Sequence, residues 1–170
     1  MASIIKVDTI QDATGAFEHA RLVQVVTQTY STQTTTTDTT IPMDTSIPQK
    51  TEGVALTSLA ITPTNTNNTL IIDWIAPVTT NTSSGRDTYL LFKDDDAGAI
   101  QACFGESSSA SYCYYEGMRH IVTGSLGTSE ITWKIRIGTS AGTMEMNRVS
   151  SGLTFGGIIH CTFTIAEIRA

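Results

Sequence analysis

Apolar and polar residues alternate with a period of two along much of the chain. The clearest stretch is EITWKIRIG at 130–138, where the apolar side chains fall on one face: Ile131, Trp133, Ile135 and Ile137. The stretch CTFTIAEI at 161–168 alternates in the same way. A period of two is that of a β-strand with one buried face, since successive side chains point to opposite sides. Helical periodicity is nearly absent, so the pattern predicts an all-β chain.

Other apolar runs predict the remaining strands. TLIIDWIAP (69–77) is apolar on both faces except for Asp73, which predicts a strand that is central or covered on both sides. DTYLLFKDDDAGAIQACF (87–104) predicts two strands joined by an acidic turn. The Thr-rich patch TQTTTTDTT (32–40) fits either a solvated loop or an exposed edge strand. Further strands are predicted within these ranges: 22–33, 57–62, 112–122 and 143–149.

The spacing of the turns indicates how these strands are arranged. Turn residues recur about every eight to twelve positions, the rhythm of a sandwich or barrel, and give roughly eight to ten strands. The chain has 170 residues, which suits one domain. We therefore expect a jelly-roll-like antiparallel β-sandwich at 21–170, preceded by a short extended N-terminal arm at 1–20.

Composition and charge exclude several partners. Charged residues make up only 15% of the chain, the net charge is −6, and Lys and Arg do not cluster. A phosphate backbone or an anionic membrane surface requires basic neutralisation, so we expect no nucleic acid and no membrane partner. No apolar run approaches the ~20 residues of a membrane span, and no secretory signal is recognisable. The protein is expected to be made in a cytoplasm and to stay there or leave inside an assembly.

Candidate metal chemistry is weak. The run Asp94–Asp95–Asp96 offers carboxylates for calcium, but it lacks the spaced acidic pattern of a calcium loop and better fits a solvated hairpin turn. The three histidines, His19, His120 and His160, lie far apart in the sequence. We expect neither a metal nor a cofactor.

The cysteines and histidines also give little support for catalysis. His160 and Cys161 are consecutive on a predicted strand and would point to opposite faces. The chain has three cysteines, an odd number, and they lack CxxC spacing. We therefore expect Cys103, Cys113 and Cys161 to be buried small apolar residues. A Cys103–Cys113 bridge would form only if the two lie on neighbouring strands. We expect that the protein is not an enzyme.

Candidate contact residues lie in the polar loops 62–69, 79–87 and 105–111, because loops on a rigid sandwich commonly carry function. Tyr offers an apolar ring and a hydroxyl, which suits contact with sugars or proteins. Tyr114 and Tyr115 are consecutive on a predicted strand and should point to opposite faces. This arrangement also fits the alternative in which one ring lies in the core and the other is exposed without a contact role. The predicted receptor-contact set is Asn65, Asn67, Asn68, Asn81, Arg86, Tyr112 and Tyr115.

Four stretches in order resemble small virion proteins of tailed bacteriophages, of the tail-fibre or fibre-like kind. They are IIKVDTIQDATG (4–15), LVQVVTQTYSTQTTTTDTT (22–40), SLAITPTNTNNTLIIDWIAPV (58–78) and the terminal FTIAEIRA. The resemblance implies a homotrimeric virion protein, assembled in the host cytoplasm, whose sandwich projects outward and contacts a host surface glycan. The chain departs from long fibres because it has no shaft, heptads or triple-β repeat. A short spike, a fibre tip and a capsid decoration (cement or head-fibre) protein are equally admissible.

The same resemblance gives the N-terminal segment a role. It implies an arm that docks on other virion proteins through these residues: Ile4, Ile5, Lys6, Val7, Asp8 and Ile10. Such a segment is too short to be stable alone and could add to a sheet edge of another chain. The alternative is that 4–7 form the first strand of the chain's own sandwich. A free carbohydrate-binding lectin is the competing function, and a lectin would work without residues 1–20.

Overall fold

The computed structural model describes residues 22–82, 85–106, 113–148 and 154–170. The predicted arm with its six docking residues lies outside the described residues, and so does Tyr112. Among the described residues, no helix is long and apolar enough to cross a membrane.

Ten strands run through the described part of the chain, and each predicted strand region contains one. A short 3₁₀ turn, Thr154–Gly157, precedes the last strand. The strands are β1 (Leu22–Tyr30), β2 (Thr34–Thr36), β3 (Val54–Ile61), β4 (Thr69–Thr80), β5 (Arg86–Lys93), β6 (Gln101–Glu106), β7 (Tyr114–Thr123), β8 (Ile131–Thr139), β9 (Met144–Met146) and β10 (Cys161–Ile168).

The strands form two antiparallel sheets. The larger has the order β1-β10-β4-β9-β2, with β7 on the other edge of β4, and the smaller has the order β3-β8-β5-β6. The pairs are nested: β1 with β10, β3 with β8, β4 with β7 and β5 with β6. One long hairpin rolled over itself gives this nesting, which is the jelly-roll topology. The predicted jelly-roll-like sandwich is therefore confirmed.

The core lies between the two sheets and is filled by the inward residues of each strand. Trp74 and Phe163, from neighbouring strands, meet edge to face with ring centroids 5.8 Å apart. The alternation predicted for 130–138 is confirmed, because its four apolar residues are at most 4% exposed. Burial of these large side chains supplies most of the stabilisation of a sandwich of this kind.

The chain itself covers the outside of β5 in the smaller sheet, whereas Phe104 on the outward side of β6 is 59% exposed. Ile41 packs there against Leu90 and Phe92, which point away from the main core. The covering segment runs from the end of β2 to the start of β3, and the Thr139 amide donates to the Asp38 carbonyl at 2.8 Å. Strand β5 is therefore buried on both faces.

Two expectations about individual strands are settled by the sheet order. The Thr-rich patch contains β2, which lies at an edge of the larger sheet, as one of its two interpretations predicted. Strand β4 is central, but the alternative that it is covered on both sides is wrong, since Ile75 is 51% exposed. An apolar residue on each face does not prove that both faces are covered.

Candidate functional site

The Asn-rich loop between β3 and β4 is held in place by a buried carboxylate on β10. Glu167 accepts hydrogen bonds from the Thr64 amide at 2.8 Å and from the Thr64 hydroxyl at 2.9 Å. Asn68 Nδ2 and Gln24 Nε2 each donate to the same carboxylate at 2.6 Å. Four donors on one buried carboxylate fix the loop conformation before any ligand arrives.

These hydrogen bonds determine the ionisation of Glu167. Desolvation by itself would raise the pKa of its carboxyl, but the donors from Asn68, Gln24 and Thr64 favour the charged form and hold the pKa below its ordinary value. A depressed folded-state pKa contributes stability that is present above the unfolded value and is lost as the pH falls through the folded value. The loop anchor is thus sensitive to acid.

We expect Glu167→Gln to lower the free energy of unfolding by about 1–2 kcal/mol near neutral pH, because one amide cannot replace all four charge-assisted acceptor contacts. Urea denaturation measures this change. Glu106→Gln is the matched control, since the Glu106 side chain is 54% exposed and pairs only at the surface with Arg86. Equal losses in the two variants would contradict the anchoring role.

The anchored loop borders a polar cleft of about 590 Å³. Asn65 and Asn67 are exposed there, and the Asn67 amide donates to Asn65 Oδ1 at 2.9 Å. Asn68 is only 5% exposed, and its amide group bonds to Glu167 and Thr64. Its amide nitrogen therefore holds the loop from inside. The cleft is lined by Val23, Thr64, Asn65, Asn67, Asn68, Arg169 and Ala170.

The other predicted contact residues lie elsewhere. Asn81 follows β4 directly, so it lies at the opposite end of that strand from the Asn-rich loop, roughly 35 Å away along the strand. Its Oδ1 accepts the Thr143 amide at 2.7 Å, and Arg86 pairs with Glu106 at 3.1 Å. The structure therefore brings Asn65 and Asn67 together, but separates them from Asn81 and Arg86.

The outward side of the larger sheet forms a second surface, which we call the outer face. It consists of the side chains of β1, β10, β4 and β7 that point away from the core. Antiparallel register aligns an apolar row across the four strands, Val25–Ala166–Ile71–Ile121. Val25 is 49% exposed and Ile121 is 54% exposed, while Tyr115 on β7 is 66% exposed. Tyr114 points inward, so the predicted opposition of Tyr114 and Tyr115 is confirmed.

One pair of opposite charges lies on the outer face, in the row beside the apolar row. Arg119 on β7 and Asp73 on β4 lie opposite each other and form a two-pronged ion pair with N–O distances of 2.6 and 2.9 Å. This pairing raises the pKa of Arg119 further, first through the hydrogen bond from its guanidinium to Asp73. The face is thus neutral, although the chain has a net charge of −6.

Between the sheets lies a group of polar side chains that we call the interior acid cluster. Asp87, Tyr89 and Thr80 are buried in it, and Tyr114 and Glu116 are half-buried. The Tyr114 hydroxyl donates to Asp87 Oδ2 at 3.1 Å, and the Thr80 hydroxyl also bonds to Oδ2. Burial raises the pKa of Asp87, and burial followed by the charge of Asp87 raises the pKa of Glu116 to about 8. Sequence reasoning missed this cluster, since no local motif links its members.

The acidic turn and the cysteines are structural. Asp95 is 89% exposed at its side chain and pairs with Lys134 at 2.9 Å, so the hairpin-turn interpretation of 94–96 is confirmed. Within the described residues, no group of three or more His, Cys, Asp or Glu side chains could hold a metal ion. All three cysteines are free, and the expectation that they are buried is confirmed for Cys161 but wrong for Cys113, which is exposed, while Cys103 is half-buried.

The described histidines make ordinary contacts. His120 Nδ1 lies 3.0 Å from Gln101 Oε1, and its ring packs near Trp133 at a centroid distance of 6.0 Å. Burial lowers the pKa of His120. His160 Nδ1 bonds locally to the Ile158 carbonyl oxygen at 2.9 Å.

Comparisons with known proteins give structural neighbours only. No family model matches the chain, and no curated protein does. A structure of infectious bursal disease virus Gx strain matches with 15% identity and a TM-score of 0.44, covering 86% of this chain and 36% of that one. The infectious bursal disease virus VP2 subviral particle matches with 16% identity and a TM-score of 0.38, covering 86% and 38%. A sugar-binding protein, the EclA C-terminal domain, matches with 10% identity and a TM-score of 0.34, covering 84% and 89%.

Proposed function

We propose that this chain is a structural virion protein of a tailed bacteriophage, a short fibre or spike that is displayed on the particle surface. Its sandwich associates with further copies of itself, as a homotrimer, through the outer face of the larger sheet. The predicted arm at 1–20 docks the assembly on other virion proteins. The observation that carries the proposal is the outer face, because it gives the sandwich a surface suited to assembly.

The outer face has the properties of an assembly surface. Large contiguous apolar patches are rare on monomers and commonly mark interaction sites. Here the apolar row crosses all four strands, and Ile75 lies two residues from the ion pair on the same side of β4. The chain covers the outside of β5 in the smaller sheet with its own segment, whereas Val25, Ile75 and Ile121 of the larger sheet stay half-exposed.

A non-enzymatic role is part of the proposal. Asp87 and Glu116 form a carboxylate pair, but three of their four oxygens are buried and have no hydrogen-bond partner among the described residues. A carboxylate pair that hydrolyses glycosides must flank an accessible sugar ring. Buried oxygens cannot reach such a substrate, so the cluster gives no support to a depolymerase.

Contact with a host glycan is the second part of the proposal, and the cleft beside the Asn-rich loop favours it. Asn65 and Asn67 present exposed amides on a loop that Glu167 has already ordered. Amides bond well to sugar hydroxyls, and a preordered loop loses less entropy on binding. The same cleft would serve a free lectin, so the arm distinguishes the two functions.

Immunogold electron microscopy of particles from the source culture tests the proposal, with an antibody against 21–170. We expect gold on the particles, and removal of residues 1–20 should abolish labelling while leaving the sandwich folded. Gold at the tail tip would support host contact, and gold over the head would make the protein a decoration. Unlabelled particles, or labelling that is unaffected by the truncation, would contradict the arm-docked virion role.

A further inference from the structure

The interior acid cluster lies where the two sheets face each other near their β6 and β7 edges. Asp87 and Tyr89 share the inward side of β5, and Gly105 on β6 pairs with Asp87 in register. The Glu116 carboxylate, from β7 of the opposite sheet, lies directly over Gly105, where a Cβ atom would come 1.3 Å from Glu116 Oε1. Strands from both sheets therefore direct acidic oxygens into one place.

Four oxygen atoms of the cluster are buried and have no hydrogen-bond partner in the described part of the chain. They are Asp87 Oδ1, both carboxylate oxygens of Glu116 and the Tyr89 hydroxyl. Tyr89 is 0% exposed, and Glu116 and Asp87 are both close enough to disfavour its ionisation. Buried oxygens of this kind are costly unless something satisfies them. Because three of the four can only accept, a cation or protons would satisfy them better than another acceptor.

The charge of the cluster is also unbalanced. Among the residues that the structure describes, burial and hydroxyl hydrogen bonds shift the pKa of Asp87, burial and then Asp87 shift that of Glu116, and no basic side chain pairs with either carboxylate. Arg86, the chain neighbour of Asp87, instead pairs with Glu106 at 3.1 Å on the surface. A divalent cation that displaces the proton of Glu116 would balance the charge of the two carboxylates.

The chemistry of the donors selects the class of cation. Carboxylate and hydroxyl oxygens suit hard cations, and Ca²⁺ accepts six to eight oxygens in flexible geometry, with water completing the shell. Cys103 pairs with Tyr89 in register, but burial and then Glu116 raise the pKa of its thiol to about 12. It therefore offers no thiolate to a softer metal.

We infer that Asp87, Glu116 and Tyr89 form an internal binding site for a hard divalent cation of the Ca²⁺ class, which ties β5 of the smaller sheet to β7 of the larger one. The cation would lock the open β6–β7 edge of the sandwich. Such a lock would make the stability of a displayed particle protein dependent on the cation concentration of its surroundings.

Thermal unfolding of the full chain near neutral pH, with EDTA or with millimolar CaCl₂, tests this inference. We expect CaCl₂ to raise the melting temperature by about 5 °C or more, and Asp87→Asn and Glu116→Gln to abolish the rise. Asp95→Asn, in the exposed acidic turn, is the control and should keep it. No rise in the wild-type protein, or a rise that only Asp95→Asn removes, would overturn the internal site.

Terbium luminescence gives a second measurement that does not depend on the stability of the carboxylate variants. Tb³⁺ replaces Ca²⁺ at oxygen sites and emits when a tyrosine beside it is excited. We expect saturable emission that CaCl₂ displaces, and at least a five-fold weaker apparent affinity for Tb³⁺ in Tyr89→Phe, which removes the hydroxyl while Tyr114, bonded to Asp87, still sensitises the ion. A Tb³⁺ affinity that is unchanged in Tyr89→Phe would place the ion elsewhere and overturn the inference.

Discussion

Ile75→Asp is expected to convert the proposed homotrimer into folded monomers. Ile75 is 51% exposed at the middle of the outer face, so the isolated sandwich loses little packing when its side chain is replaced. In an assembly the same position would be covered, and an unpaired carboxylate there would have to be desolvated. We expect self-association to weaken at least 100-fold, or about 3 kcal/mol. Sedimentation velocity measures the mass, and circular dichroism checks that the fold is retained.

The controls for this prediction are exposed isoleucines away from the outer face. Ile47 is 64% exposed in the segment that leads to β3, and Ile158 is 75% exposed after the 3₁₀ turn. Ile47→Asp and Ile158→Asp should leave the assembled mass unchanged. Ile121→Asp, in the apolar row, should act like Ile75→Asp. A wild-type mass equal to the 18.2 kDa chain at every concentration would contradict self-association altogether.

The positions of the strands along the chain were predictable because a strand buried on one face has apolar residues at every second position. Trp133 and Ile135 alternate with polar neighbours, and the structure buries them as that pattern requires. The nested pairing of the strands was harder to predict from the sequence, since pairs such as β1 with β10 join the two ends of the described chain. Only the turn spacing and the strand number limited the choice to a rolled sandwich.

The outer face could not be predicted from β4 alone. Ile71, Asp73 and Ile75 share one side of that strand, and an apolar second side is equally compatible with a covering layer or an exposed surface. The difference depends on whether another part of the chain covers it. For β5 of the smaller sheet Ile41 does so, which no local pattern near Leu90 indicated.

The candidate sites show the same limit. Asn65 and Asn67 were predictable as exposed loop amides, but Asn68 has the same side chain and is buried against Glu167, about 100 residues away along the chain. Asp87 and Glu116 likewise meet only because β5 and β7 lie on facing sheets. The residue type indicates what a side chain can bind, whereas strand register decides what it meets.

The free energy of unfolding is expected to fall as the pH rises from about 5 to 9 in cation-free buffer. Burial and then Asp87 raise the pKa of Glu116 from 4.5 to about 8, so between these values the folded protein keeps a proton that the unfolded chain has released. Stability from this proton is complete below the unfolded pKa and is lost as the pH rises through the folded one. After a discount for the partial exposure of Glu116, we expect a loss on the order of 2–3 kcal/mol.

Urea denaturation across this range, with EDTA present, measures the loss, and Glu116→Gln should remove most of the slope. Of the other groups that face Glu116, Asp87 has a raised pKa and contributes in the same direction. Burial raises the pKa values of Tyr89 and Cys103 beyond this range, so both stay protonated. His120 lies on the same side of β7, and burial lowers its pKa. Its titration makes the free energy of unfolding rise with pH in the acidic range, opposite to the effect of Glu116, and the Glu116→Gln variant retains this contribution.

A wild-type slope that survives Glu116→Gln would show that the proton is held elsewhere. A slope that CaCl₂ abolishes in the wild type alone would show that the proton and the cation compete for the same carboxylates.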